Sequence, residues 1–298
     1  MPTGRSFAST CSARAALAGN PSDGYGGAVV AMPIDAMFAM ASTTEASGFE
    51  VDAADPELHK LLANTGDAFQ DFVGSLPDVR LSASTNIPRS VGLGGSSALV
   101  IAALRALGAW ATIRWEPIEL AHLALSVERD RLGIEAGLQD RLVQVTGRAA
   151  SMTFAPITVD VIDLPDWPFF IAWAPSAAEM SDAVHRSVRR RYEAGDPDVH
   201  IAMIELAEQA TIARMAIDHA DRQRLGEAMT RTFELRTTMI DVGPAQRRLV
   251  DIGQRAGAAV NSAGSGGSIV GLANDDDHVT ELQGIYESAG AMFLSVTP

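Results

Sequence analysis

Apolar residues fall at Leu99, Ile101, Ala102, Leu104, Leu107 and Trp110, a helical period that predicts helix over 95–110. The same reading predicts helix over 56–74, with Pro56 in its first turn. It continues with helix over 116–129, where Pro117 opens "EPIELAHLALSVER", and helix from "GLQDRLVQVTG" at 137–147. Residues 181–256 read as mostly helical, and a last helix lies near 276–289. Short strands with glycine-rich turns are expected across 12–54, because small apolar and polar residues alternate there. Further strands are expected at 79–85, 149–154, 158–163 and 168–174. "GAAVNSAGSGGSIVGLA" reads as strand, glycine turn, strand, and "AMFLSV" closes the chain as a strand. Strands and helices mix in both halves, which makes an α+β chain. No internal repeat interrupts it. The proline-rich "DLPDWPF" at 163–169 sets the expected boundary, giving domains 1–164 and 165–298.

Composition narrows the chemistry. The 298 residues suffice for one large domain or two smaller ones, and 47% hydrophobic with 20% charged residues is ordinary for a globular protein. The most apolar stretch, around 98–113, is broken by Arg105, so no membrane span is expected. The N-terminus lacks a clean apolar core, so the reading expects no cleaved leader. The single cysteine, Cys11, allows no internal disulfide and no cysteine-built zinc site, which points to a reducing, cytoplasmic setting. A net charge of −14 argues against nucleic acid or an anionic membrane as partner. Lys60 is the only lysine, and it stands in "ELHKLL". A Walker P-loop and a protein-kinase strand lysine are both excluded. Any phosphate contact therefore falls to arginine.

"VGLGGSSALV" at 91–100 places three glycines and two serines before an apolar helix. Bare N–H groups at a helix N-terminus suit polyphosphate, although a tight strand-to-helix turn would use the same residues. Serine hydrolysis is a weaker reading of the same stretch. "GGSSA" at 94–98 loosely imitates G-x-S-x-G but lacks the closing glycine. The six histidines show no metal-ligand spacing. Ser96 could cap its helix, Glu128 could be a solvated helix residue, and Asp140 could be a first-turn acid. Arg14 could be a strand-edge arginine and Asp23 a turn residue. His185 and Arg189 share one helix face at i, i+4, and the remaining arginines of "VHRSVRRRY" could form a solvated basic face.

Three ordered segments change the balance: "ARAALAGNPSDGYGG" (13–27), "IPRSVGLGGSSAL" (87–99) and "NSAGSGGSIVGL" (261–272). Together they resemble the three motifs of the GHMP small-molecule kinases, a superfamily that includes galactokinases and mevalonate kinases. "GNPSD", "LGIEAGLQDR", "VHRSVRRRY" and "FELR" make the chain most similar, within that superfamily, to glucuronokinases. The resemblance runs from residue 13 to residue 272. It implies an N-terminal domain like domain 2 of ribosomal protein S5 and a ferredoxin-like C-terminal domain. It also implies ATP and Mg²⁺ as cofactors, with transfer of the γ-phosphoryl group to a sugar hydroxyl, the anomeric hydroxyl of D-glucuronate or a related sugar. By the same resemblance, Gly92, Leu93, Gly94, Gly95, Ser96 and Ser97 would hold ATP phosphates together with Gly264, Ser265, Gly266 and Gly267. Ser96 and Glu128 would hold Mg²⁺. Asp140 would act on the acceptor hydroxyl as base or orienter, and Arg14 would neutralise charge at the transferred group. Asn20, Asp23, His185, Arg189 and Arg236 would contact the substrate, the arginines through a carboxylate or phosphate. Mevalonate or another small alcohol is the alternative acceptor, and a catalytically silent ligand sensor is the alternative to an enzyme.

Four positions depart from the resembled pattern. Asn261 stands where lysine is frequent, Arg148 and Ala149 replace a glycine pair, and Thr232 stands where asparagine is expected.

Overall fold

A computed structural model describes residues 4–175 and 181–297, with the side chains of 181–186 outside the description. The chain folds into two compact units, each built from three separate stretches. Unit 1 takes Met1–Ala13, Asp35–Ile87 and Gly94–Gly147; unit 2 takes Arg14–Ile34, Pro88–Leu93 and Arg148–Pro298. The expected boundary near residue 164 falls inside the last stretch of unit 2.

Two long strands, β1 (Ser6–Ala18) and β2 (Ala28–Glu45), occupy the region read as several short ones. Pro33 does not end β2. Ala28–Ala31 bond to β5 (Ala150–Phe154) and Ala39–Glu45 bond to β4 (Val79–Thr85), so the proline falls between these two ladders and takes no N–H from either; β2 also pairs with β1. The second half of β1 is buried without alternation from Ala13 to Ala18. Small side chains allow covering on both faces, and that also hid the strand period from a reading of alternation.

In unit 1, β3 (Glu50–Asp52) pairs parallel to β4, which pairs antiparallel to β2. Helix α1 (Pro56–Val73) begins at Asp55, whose carboxylate accepts from the N–H groups of Glu57 and Leu58, and it stops at Gly74 in the left-handed region. Helix α2 (Gly95–Trp110) is buried over most of its length, as a nearly uncharged helix must be. Helix α3 (Pro117–Ser126) runs into a π-helical turn, Val127–Arg131, and α4 (Leu138–Thr146) follows.

In unit 2, β2 pairs with β5, and β5 pairs with β6 (Ile157–Val161). A second, all-antiparallel sheet contains β7 (Phe169–Trp173), β8 (Ala259–Ser262), β9 (Ser268–Leu272) and β10 (Met292–Val296), in the order β10-β7-β9-β8. Among the described residues, four helices lie between β7 and β8: α5 (Ser181–Glu193), α6 (Pro197–Asp218), α7 (Arg222–Met239) and α8 (Pro244–Arg255). A tight turn joins β8 to β9, and α9 (Asp276–Ser288) leads to β10. That connectivity and strand order are those of a split βαβ, ferredoxin-like unit. Its core gathers Phe170, Leu206, Phe233, Leu249, Leu282 and Tyr286.

Candidate active site

Unit 1 concentrates its carboxylate chemistry where α2, the π-helical turn and α4 begin. Gly94 adopts φ +74°, a left-handed conformation open to glycine, and α2 starts at the next residue. Gly94 is therefore the helix cap, and Ser96 is freed from that role. Its Oγ instead donates to Glu128 Oε1 at 2.6 Å. Glu128 lies in the widened π-helical turn, a feature common at functional sites, and it has no exposed surface. It is not the solvated helix residue that its sequence context also allowed. Its second oxygen, Oε2, accepts from Arg141 Nε at 2.9 Å and also from Arg141 Nη2. Arg141 is itself buried. Its Nη1 donates to the Gly137 carbonyl at 2.8 Å and lies 3.5 Å from Asp140 Oδ2. One guanidinium thus touches both carboxylates and the backbone at the start of α4.

Sequence reasoning passed over Arg141, although it stands beside Asp140 in "GLQDR". It also missed Gln144, whose Nε2 donates to the carbonyls of Gly94 (2.8 Å) and Ser12 (3.1 Å) and so anchors the loop before α2. The available signal was position: Arg141 and Gln144 lie one and four residues after Asp140 on a short helix, and polar residues that a helix turns inward need partners. Ser97 donates to the Gly94 carbonyl, so the two hydroxyls of "GGSSA" bond to a carboxylate and a carbonyl. Neither of these bonds is the serine–imidazole contact a hydrolase would use.

Unit 2 holds the arginines and the glycine turns. Arg14 is buried on β1 rather than exposed at a strand edge. Its Nη1 donates to the carbonyls of Gly92 (2.7 Å) and Ala263 (3.1 Å). Gly92 has φ +80°, and a Cβ there would collide with the backbone nitrogen of Gly266. Val91 and Gly92 would likewise be struck by a Cβ on Gly266. Part of the glycine content thus serves the packing of these two turns on each other. Ser265 is exposed at the tip of the β8–β9 turn, and Gly266 and Gly267 are buried.

Arg236, buried on α7, donates from Nη2 to the Gly264 carbonyl at 3.1 Å. Burial pulls its pKa down to about 10; the negative charge of Asp23 opposes that shift, and the positive charge of Arg14 adds to it. Arg14, Asp23 and Arg236 are therefore electrostatic neighbours. One turn earlier on α7, Thr232 accepts from the Gly19 N–H at 3.3 Å and donates to the Ala228 carbonyl at 2.8 Å. Asn261, fully buried, donates to the carbonyls of Ala16 and Leu17 and to Asn20 Oδ1 (3.0 Å), while Asn20 donates to the Ser262 carbonyl. The two departures from the resembled pattern at 232 and 261 thus hold the chain beside Asn20. Arg148 forms an exposed ion pair with Asp163.

Asp23 is half-buried in the 3-10 turn Ser22–Tyr25. Arg189 lies with its guanidinium carbon 5.7 Å from the centre of the Tyr25 ring. Tyr25 packs on Tyr192, which stacks on His200 at 3.9 Å. "PSDGYGG" and "VHRSVRRRY" therefore meet. The His185 side chain lies outside the described residues.

The family model described as GHMP kinases N terminal domain matches residues 57–148, and that described as GHMP kinases C terminal matches 213–291. Together these cover more than half of the chain. The chain belongs to the GHMP kinases. Among GHMP kinases it is 37% identical to probable glucuronokinase 2 of Arabidopsis thaliana and 35% identical to glucuronokinase 1 of the same plant, each over 207 residues and 64% of this chain. The match spans 56% of each plant protein, so the chain accounts for little more than half the length of these relatives. The fold matches Lactococcus lactis galactokinase complexed with galactose, with TM-score 0.83 at 17% identity over 98% of this chain and 93% of that one. It also matches Methanococcus jannaschii mevalonate kinase, with TM-score 0.80 at 18% identity over 99% of both chains. The GHMP kinase fold expected from the motifs is the fold observed. Among the described residues no helix is long and apolar enough to cross a membrane, and no three His, Cys, Asp or Glu side chains cluster as a metal cage.

Proposed function

We propose that this GHMP kinase transfers the γ-phosphoryl group of ATP to the anomeric hydroxyl of D-glucuronate or a closely related sugar acid. The observation that carries the phosphotransfer reading is the 2.6 Å contact between Ser96 Oγ and the buried Glu128 Oε1 at the start of α2. A hydroxyl and one carboxylate oxygen make a sparse, hard donor pair. Such a pair fits Mg²⁺, which keeps several waters and takes phosphate oxygens, better than it fits an all-protein cage. In this reading Ser96 and Glu128 hold the metal, which would neutralise phosphate charge when bound. The backbone N–H groups at 92–97, and those at 264–267, would serve as phosphate contacts. Asp140, half-buried beside Arg141, accepts or orients the proton of the acceptor hydroxyl. Arg14 supplies positive charge for the transferred group.

The uronate assignment draws on the Arabidopsis relatives' names and on unit 2. Arg236 is a buried cation near Asp23, and Arg189 lies over Tyr25 beside that turn. Arginine grips a carboxylate through two parallel N–H bonds, and a buried cation does so with little competition from water. Arg189→Ala and Arg236→Met test the assignment. kcat/KM for glucuronate is expected to fall at least about tenfold further than kcat/KM for glucose, because only the acid loses a charged partner. Equal losses for both sugars would return these arginines to ATP or to packing and leave the kinase reading standing.

A further inference from the structure

The contacts of Glu128 are unequal. Oε1 faces the Ser96 hydroxyl, whereas Oε2 is occupied by two donors of one guanidinium, Arg141 Nε and Nη2. Arg141 cannot easily let go. It is buried among α4 residues, and its third nitrogen is tied to the Gly137 carbonyl. Releasing Oε2 would strand a buried cation and a buried anion at once. Resting on the reading of Glu128 as a metal ligand, we propose that Arg141 is a positioning residue that holds Glu128 to a single metal-facing oxygen and thereby biases the site toward Mg²⁺ over Ca²⁺.

The selection follows from coordination. Mg²⁺ demands six ligands at short distances and accepts a carboxylate through one oxygen, whereas Ca²⁺ takes six to eight and commonly uses both oxygens of a carboxylate. A glutamate with one oxygen already saturated by a forked guanidinium suits the first ion and penalises the second. Lysine would keep the charge but not the fork. Its single ammonium can swing from Oε2, and the carboxylate can then turn both oxygens to a larger ion. Outer partners of metal ligands commonly set metal affinity by factors of ten to a hundred.

Mn²⁺ bound to the full-length protein with a non-hydrolysable ATP analogue, followed by electron paramagnetic resonance, reads the site without turnover. Displacement by Mg²⁺ and by Ca²⁺ gives a preference ratio for each protein. In Arg141→Lys that ratio should shift toward Ca²⁺ by at least about tenfold. A general loosening of the fold would weaken both ions together and leave the ratio unchanged, and an unchanged ratio overturns the proposal. Glu128→Gln separates the underlying reading. Mn²⁺ bound as tightly to that variant as to wild type removes Glu128 from the metal site and the proposal with it, whereas lost Mn²⁺ binding with an unchanged lysine ratio sinks the Arg141 role alone. Should Arg141→Lys not fold, crystals of the wild-type protein with Mn²⁺ and the analogue decide the matter. Glu128 should meet the ion through Oε1 only, with Oε2 still on Arg141, and a chelating Glu128 would contradict the proposal.

Discussion

Glu128 in unit 1 and Arg236 in unit 2 are both buried charges on helical turns, yet their surroundings differ. Glu128 meets an opposite full charge through two N–H bonds of Arg141 and a hydroxyl from Ser96. Arg236's hydrogen bond in its unit goes to a main-chain carbonyl, that of Gly264, and burial pulls its pKa down to about 10. A carbonyl carries only a partial charge and repays less of the cost of removing an ion from water than a carboxylate does. The comparison teaches that burial alone does not reveal a role. A buried charge with a dedicated partner is part of the scaffold as well as the site. Arg236, bonded to a carbonyl and with Asp23 as a negative neighbour, lacks the forked charge-to-charge contact that Glu128 has.

The largest effect should come from breaking the matched pair. Arg141→Met leaves Glu128 buried without its partner and should cost about 3–5 kcal/mol in urea unfolding. Arg236→Met removes a charge that burial disfavours, and stability should move by no more than about 1 kcal/mol in either direction. Comparable losses in the two variants would erase the distinction between them.

Asp140→Asn sharpens the contrast on the side of activity. Asp140 is half-buried and 3.5 Å from Arg141, so its substitution should spare the fold. Turnover should drop by about two orders of magnitude while nucleotide affinity, measured by calorimetry, stays near wild type. A variant with wild-type kcat removes Asp140 from the reaction.

Much of this arrangement was legible in the residues. The helix over 95–110 and the strand over 79–85 appear where they are expected, the helix beginning directly after Gly94. The long β1 and β2 were not legible as such. Runs of buried alanine carry no alternation, and Pro33 looks like a terminator until the ladders on either side of it, with β5 and with β4, are known. Of the site, Ser96 and Glu128 could be named from their motifs but not their contact, since 32 residues separate them. Arg141 and Gln144 escaped because a polar residue on a helix usually faces water, and only packing shows that these two do not. The same applies to Thr232 and Asn261. Judged against a pattern they look like losses, and in the structure both bond to the chain next to Asn20.

A smaller effect is expected at Ser96. Ser96→Ala removes one hydrogen bond to a charged group and should cost about 1.5–3 kcal/mol by thermal unfolding, less than Arg141→Met, since Glu128 keeps its cation. A loss equal to that of Arg141→Met would mean that the hydroxyl, not the guanidinium, is the main support of the buried carboxylate.

The smallest effect should come from Cys11. Burial pushes its thiol up to about 12, with Arg105 acting weakly in the opposite direction. The native protein should react with a thiol reagent at pH 8 at under about a hundredth of the rate of the unfolded chain, because the thiolate is the reacting form. Rapid modification of the folded protein would show that unit 1 opens far more readily than its packing implies.

The central claim is phosphoryl transfer to a sugar acid by this set of residues. Phosphorus-31 NMR of the protein with ATP, Mg²⁺ and D-glucuronate tests it most directly. The account predicts a new sugar 1-phosphate resonance growing in step with ADP, much slower with Asp140→Asn and much weaker when glucose replaces glucuronate. ADP formed without a phosphorylated sugar, or no ADP with any sugar or sugar acid supplied, would contradict it.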